Sequence, residues 1–269
     1  MPNKLTIVLS GRKQSGKTST SNYILAKYLN LKPGYCRFLI NETGELCGAY
    51  PYINGLTSEC AKYKYISDNG AKIYSFADPL KRFIIDILNV PEESCYGTDA
   101  QKNAPVPHIL WENFPQECRP IAKKHHDSNL QEFSGIAAME PWTEYVLATG
   151  PMTGREIMQY LGTNIVRKIY GDCWACGTYN AIKNEGFTLA VISDCRFKNE
   201  VELGTEVNAK TVRLLRDVFH DSHPSETALD DYPLNKYSVV VDNRNMTLEE
   251  QCRYMDPIID QWFKEAGIS

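Results

Sequence analysis

The chain has 269 residues, 43% of them apolar and 23% charged, with a formal net charge of −4. That length suffices for one large domain with a buried core, and the weakly acidic balance gives no general pull toward nucleic acid or acidic membranes. Nine irregularly spaced cysteines, without an apolar stretch of signal-peptide or membrane-spanning length, point to a reducing cytoplasm and to no membrane or nucleic-acid partner.

The first element, "LTIVLS" (5–10), reads as a buried strand. It runs directly into "GRKQSGKT" (11–18), a complete G-x-x-x-x-G-K-S/T pattern carried by Gly11, Gly16, Lys17 and Thr18. Such a loop surrounds phosphate with backbone N–H groups at a helix N-terminus. Lys17 reaches the outer phosphates and the Thr18 hydroxyl can ligate magnesium. Lys13 and Ser15 are further donors within the loop, although Lys13 reads equally well as a solvated lysine.

Residues 34–66 contain two short β-like runs around Asn-Glu-Thr-Gly, which predicts an inserted hairpin. "KIYSFA" (72–77) predicts the next core strand. The helix after it has Asp78 placed to cap, Pro79 at its first position, and an apolar face of Leu80, Phe83, Ile84, Ile87 and Leu88. Lys81 and Arg82 stand in its first turn, against the helix dipole. Residues 95–150 are proline-rich and weakly periodic, which predicts short helices, a lid or a partner surface; a homodimer contact there is open.

Thr153 and Glu156 form a capping box at the start of "TGREIMQYLGT", with Ile157, Tyr160 and Leu161 as the apolar stripe. Arg155 is a second cation set against a helix dipole, and Gln159, four residues on, shares its face. Two such helix starts predict an anionic substrate, which arginine forks bind bidentately. The Gln159 amide reads either as an exposed helical residue or as the reader of a base edge. "CWAC" (173–176) is a single C-x-x-C without a second ligand pair, so no metal–thiolate site is predicted.

"TLAVIS" (188–193) predicts a third strand, ending in Ser193-Asp194-Cys195-Arg196. A carboxylate there could hold magnesium directly or through water, and Arg196 could stabilise a transferring phosphoryl group or form a structural salt bridge. "KTVRLL" (210–215) and "YSVVVD" (237–242) predict the last two strands. The segment 216–231 between them gathers Arg216, His220, His223, Ser225 and Glu226, and reads as a nucleotide-proximal loop or as solvated surface.

The five runs are continuously apolar rather than alternating. They therefore predict an α/β fold with a five-stranded, mostly parallel sheet covered by helices on both faces, and the loop at 11–18 at the carboxyl end of the first strand. One domain is expected over 1–269, with insertions at about 34–66 (hairpin) and 95–150 (lid or substrate-binding). A GTPase-like switch is disfavoured, because the only Asn-Lys, in Asn235-Lys236-Tyr237-Ser238, lacks the aspartate that reads guanine.

The stretches "LSGRKQSGKTST", "TGREIMQYLGTNIVRKIYGDCW", "VISDCRFKNEVE" and "HPSETALDD", ending near "VVVDNRNMTLEE", resemble in order and spacing the deoxynucleoside monophosphate kinases of tailed bacteriophages. The resemblance implies a P-loop kinase fold in the host-cell cytoplasm. It implies magnesium-dependent transfer of the ATP γ-phosphate to a deoxynucleoside 5′-monophosphate, giving the diphosphate for phage DNA precursor supply. It places ATP at Gly11, Lys13, Ser15, Gly16, Lys17, Thr18 and Ser19. The acceptor falls to Lys13, Asp78, Arg82, Arg155, Gln159 and Trp174, and magnesium to Thr18 and Asp194. The catalytic set is then Lys17, Arg155, Asp194 and Arg196. The insertion at 34–66 departs from the coliphage pattern, so base specificity does not carry over. A kinase of another small phosphorylated metabolite, such as dephospho-coenzyme A, is the alternative within the same fold.

Overall fold

The computed structural model describes residues 5–32, 37–49, 59–115, 119, 121–125, 143–218 and 227–269, with residues 49, 59–63, 121–125 and 143–146 described through the backbone alone. The chain divides into two compact units, residues 1–79 with 172–269 and residues 80–171. The first unit begins with β1 (Leu5–Ser10), α1 (Lys17–Asn30), β2 (Arg37–Ile40), β3 (Leu46–Ala49), α2 (Glu59–Asp68), β4 (Ala71–Tyr74) and the start of α3 (Asp78–Leu88). The second unit continues with α4 (Glu92–Tyr96), α5 (Asp99–Lys102), β5 (Pro105–Leu110), β6 (Ile121–His125), β7 (Thr143–Leu147), β8 (Pro151–Thr153), α6 (Gly154–Gln159), a π-helical stretch (Tyr160–Val166) and α7 (Arg167–Ile169). The first unit then resumes with α8 (Cys173–Glu185), β9 (Leu189–Cys195), α9 (Lys198–Glu206), β10 (Lys210–Leu214), β11 (Val239–Val241) and α10 (Leu248–Glu265).

The sheet of the first unit has the order β11-β10-β1-β9-β4, and every pairing is parallel. The α/β architecture is the expected one and is consistent with a P-loop kinase fold. All six residues of β1 are buried, because apolar layers cover both faces of the sheet. On one side Ile7, Leu9, Val191, Val212 and Leu214 pack with Ile24 and Leu25 of α1 and Met255, Ile259 and Trp262 of α10. On the other, Val8, Ala190 and Ile192 pack with Ala175, Tyr179 and Ile182 of α8 and Val201 of α9. Two covered faces are why these strands read as unbroken apolar runs.

Strand ends differ from the sequence expectation: β11 is shorter, Val239–Val241 against 237–242, and two others have a visible cause. β4 stops at Tyr74 instead of running to Ala77, because the Asp78 carboxylate accepts the Ser75 N–H at 3.0 Å and closes a turn there. β9 runs on through Asp194 to Cys195. Val8 pairs with Ile192 but Ser10 pairs with Cys195, so β9 carries one extra residue in a bulge that contains Asp194.

In the second unit, the apolar face expected for α3 is only partly covered. Leu80 and Ile84 are buried, whereas Phe83 and Ile87 are exposed. Leu80 lies against Gly162, and after Leu88 the chain turns back so that the Val90 N–H donates to the Ile84 carbonyl at 3.3 Å. Cover thus follows the Leu80–Ile84 line. The capping box of α6 forms, with the Glu156 N–H donating to Thr153 Oγ1 at 3.2 Å and the Thr153 N–H to Glu156 Oε2 at 2.8 Å. Beyond Gln159 the helix widens into π geometry. There Tyr160 is held edge-on against Trp111 and Phe114 (centroids 5.1 and 5.7 Å), and Gly162 lets Leu80 approach.

α10 is fastened to α1 by charge as well as by the core. Lys27 pairs with Asp256 and, at 2.7 Å, with Asp260, and the Tyr23 hydroxyl donates to Asp256. The Lys27 hydrogen bond, followed by that from Tyr23, holds the Asp256 carboxyl below the usual aspartate range. A carboxyl depressed in the folded state adds stability above its unfolded pKa, and that stability disappears as pH falls through the folded value. Asp256→Asn should therefore lower the thermal midpoint at about pH 7, and the gap to wild type should close below about pH 4. Thermal denaturation of both proteins across that range checks it.

Candidate phosphate-binding site

The glycine-rich loop leaves the carboxyl end of β1 and enters α1 through Gly16, whose φ of 96° lies in the left-handed region. A side chain at Gly16 would also press on the Gln251 amide, about 3.1 Å from where its Cβ would stand. α1 has no side-chain cap and no acidic residue in its first turn. By contrast α6 and α10 both carry capping boxes, and α10 adds Glu249 and Glu250 in its first turn. The N–H groups that open α1 therefore receive no acceptor from a capping side chain.

The carbonyls of the loop are satisfied from behind. Lys17 Nζ donates to the carbonyls of Gly11 and Arg12, both at 2.7 Å. Asn243 Nδ2 donates to the Ser15 carbonyl at 2.8 Å and to Gln251 Oε1 at 2.6 Å. Gln251 Nε2 donates to Thr20 Oγ1 at 2.7 Å, and Thr20 Oγ1 donates to the Gly16 carbonyl at 2.9 Å. Asn243, Gln251 and Thr20 are all buried. Arg216 locks this support in place: its N–H donates to Asn243 Oδ1 at 2.8 Å, and its guanidinium donates to the carbonyls of Asn243 and Met246.

The Ser15 hydroxyl is fully buried and makes no hydrogen bond among the described residues. It sits against Gly11, where any Cβ would collide with it. A buried donor without a partner is costly unless a ligand satisfies it, so the loop fits a phosphate group on its own geometry. Thr18 is exposed in the first turn of α1, and Lys13 is exposed at the loop tip. Arg12 turns away to ion pairs with Asp217 (2.9 Å) and Asp230. Beneath it the buried Arg213 donates to Ser10 Oγ at 3.1 Å and lies 3.6 Å from Asp230.

The remaining candidates divide between the units. In the first, Asp194 Oδ1 accepts the Phe76 N–H at 2.8 Å and Oδ2 accepts the Ser75 hydroxyl, so this carboxylate joins the ends of β9 and β4. Arg196 is half-buried; its N–H donates to the buried Glu200 carboxylate at 2.7 Å, which fixes the turn into α9. Cys195 between them is buried, and burial first, then Glu200 and Asp194, pushes its thiol pKa up. Asp78 closes the Ser75 turn, and Trp174 is buried in the first turn of α8. In the second unit Arg82 and Gln159 are exposed. Arg155 Nε donates to Asn103 Oδ1 at 2.9 Å, and Nη2 to Asp99 Oδ1 at 2.7 Å. Lys81 lies over the Tyr96 ring, 4.2 Å from its centroid. His220, His223, Ser225 and Glu226 lie outside the described residues.

A cavity of about 840 Å³ opens beside α1, bordered by the β2–β3 hairpin and the first half of α10, and none of the loop residues lines it. Its Lys27 is neutralised by Asp256 and Asp260, so it is not built for phosphate. No group of three or more His, Cys, Asp or Glu side chains is placed to hold a metal among the described residues. Nor, among them, is any helix long and apolar enough to cross a membrane.

Sequence reasoning missed Asn243 and Gln251. The available signal was Gln251 itself, a polar residue four and eight positions before Met255 and Ile259 on the buried stripe of α10.

The fold and the loop define an α/β protein, consistent with a P-loop kinase fold, that carries a glycine-rich loop at the carboxyl end of its central strand. No family model matches the chain. Over 191 residues it is 27% identical to a protein of Acanthamoeba polyphaga mimivirus described as "Putative deoxynucleotide monophosphate kinase", an overlap of 65% of this chain and 76% of that protein.

Asn243→Ala should destabilise the protein by about 1–3 kcal/mol, because it strands the Ser15 carbonyl and the Gln251 amide in a dry interior. Urea unfolding with an unchanged slope checks it. Arg244→Ala, one residue on and paired only at the surface with Asp242, should leave the midpoint in place.

Proposed function

We propose that the chain is a nucleotide kinase that transfers the γ-phosphate of ATP to a deoxynucleoside 5′-monophosphate. The observation that carries the donor half is the loop: a buried Ser15 hydroxyl without a partner among the described residues, an α1 without a side-chain cap, and the carbonyls of Gly11, Arg12, Ser15 and Gly16 turned to internal donors. The acceptor half is supported by the similarity to the mimivirus protein described as a deoxynucleotide monophosphate kinase, together with the Arg155-x-x-x-Gln159 stretch. The finer assignment, deoxynucleotides for a phage, comes from the sequence resemblance.

In this reading an oxygen of the acceptor phosphate forms a bond to the γ-phosphorus as the bond to the bridging oxygen breaks, and ADP leaves. The attacking phosphate is already ionised, so no general base is needed and catalysis is positioning and charge neutralisation. Lys17, the Ser15 hydroxyl and the amides of 16–18 hold the donor phosphates, with Lys13 and Ser19 beside them. Thr18 and Asp194 offer a hard, oxygen-only donor set suited to magnesium. Each oxygen of Asp194 accepts one hydrogen bond and keeps a second lone pair, so it could meet the ion directly or through water. Bound magnesium would neutralise charge on the donor phosphates. Arg196 is assigned to the transferring group, and Arg82, Arg155, Gln159, Asp78 and Trp174 to the acceptor.

With purified protein, ATP and a panel of deoxynucleoside monophosphates, diphosphate should form with at least one of them. Turnover of dephospho-coenzyme A alone would replace the acceptor assignment. Lys17→Ala should cut turnover by about 100-fold or more. Arg155→Ala should raise the acceptor KM by about 10- to 100-fold while the donor KM stays put, the loss expected for a charged hydrogen bond. An unchanged acceptor KM removes Arg155 from the site.

A further inference from the structure

The β2–β3 hairpin lies in the segment that departs from the coliphage pattern, and nothing so far gives it work. Its turn is unusually determined. Asn41 Oδ1 accepts from the Thr43 N–H (3.1 Å), the Thr43 hydroxyl (2.7 Å) and the Glu45 N–H (2.8 Å), while the Asn41 N–H donates to the Glu45 carbonyl at 3.0 Å. At its tip Gly44 has a φ of 81°, and a Cβ there would fall on the side chain of Ser19. The turn therefore rests its backbone directly on the first turns of α1, immediately after Lys17 and Thr18.

Two side chains of α1 fasten this contact to hairpin backbone. Asn22 Nδ2 donates to the Gly44 carbonyl at 2.8 Å. At the other end of the helix, Asn30 both donates to the Phe38 carbonyl (2.9 Å) and accepts the Phe38 N–H (2.8 Å). Phe38 and Leu46 are buried with Leu25 and Leu29 in the same core layer. On the hairpin side the partners are backbone groups and a buried ring, and on the helix side they are short Ser and Asn side chains, so a shift of the hairpin bears on the helix that carries the loop.

We infer that the hairpin is a positioning element for the donor site, with Asn22 and Gly44 setting where the N-terminus of α1 presents Lys17 and Thr18. This rests on the donor reading of the loop given above. Coupling free energies are reciprocal: if the hairpin favours the binding-competent loop, ATP must in turn stabilise the hairpin.

Hydrogen exchange of the wild-type protein with and without ATP and magnesium tests it. Peptides covering 11–18 and 37–49 should both gain protection. Asn22→Ala should weaken ATP binding about two- to tenfold, the worth of one neutral hydrogen bond, leave the acceptor KM unchanged, and abolish the protection at 37–49. Gly44→Ala should act in the same direction. Protection at 11–18 without any at 37–49, together with wild-type ATP affinity in both variants, overturns the inference and leaves the hairpin a brace of the fold, whatever the variants do to the thermal midpoint. If ATP protects neither segment, the donor reading itself fails and this inference falls with it.

Discussion

A loop that binds phosphate with its amides has a problem on its other side, because each outward N–H belongs to a chain whose carbonyls point inward. Those carbonyls cannot stay unpaired in a dry interior. The buried amide of Asn243, bonded at once to the Ser15 carbonyl and to Gln251, is the main answer here. Lys17 covers Gly11 and Arg12, and Thr20 covers Gly16. Those carbonyls are occupied from behind, and the Arg12 carbonyl also accepts the Ser15 N–H at 3.2 Å. The shape of the loop is thus as much a property of what stands behind it as of its glycines.

That support is supplied from far along the chain. Asn243 follows β11 and Gln251 lies in α10, more than 220 residues after the groups they hold. They reach the loop only because β10 and β11 complete the sheet on one side of β1 and Arg216 secures the turn after β11. The loop consequently acquires its shape when the fold is complete, although its sequence is contiguous. The hairpin adds a second constraint from the other flank, through Ser19 and Asn22.

The strands were legible because both faces of the sheet are covered, which leaves unbroken apolar runs. Their ends were not: a side-chain turn from Asp78 back to Ser75 stops β4, and a bulge opposite β1 carries β9 through Asp194. The stripe of Ile157, Tyr160 and Leu161 announced a helix, but its period said nothing of the change to π geometry. That change depends on Leu80 meeting Gly162 and on the Trp111 and Phe114 rings, which are distant in sequence. Phe83 and Ile87 completed an apolar face on paper and are exposed, because a period shows which residues share a side and not how much of that side is covered. The loop motif was plain, whereas its backing was hidden in amides that could equally have been solvated.

Charge separates residues that the sequence leaves equivalent. Arg12, Lys13 and Lys17 are three cations within six positions, and any of them could be assigned to phosphate. Arg12 faces two carboxylates, Asp217 and Asp230, which cancel its charge where it stands. Lys17 rests on the carbonyls of Gly11 and Arg12, dipoles that fix its ammonium in place. Lys17 is therefore a brace that shapes the loop from within, while Arg12 ties the loop to Asp217 and Asp230.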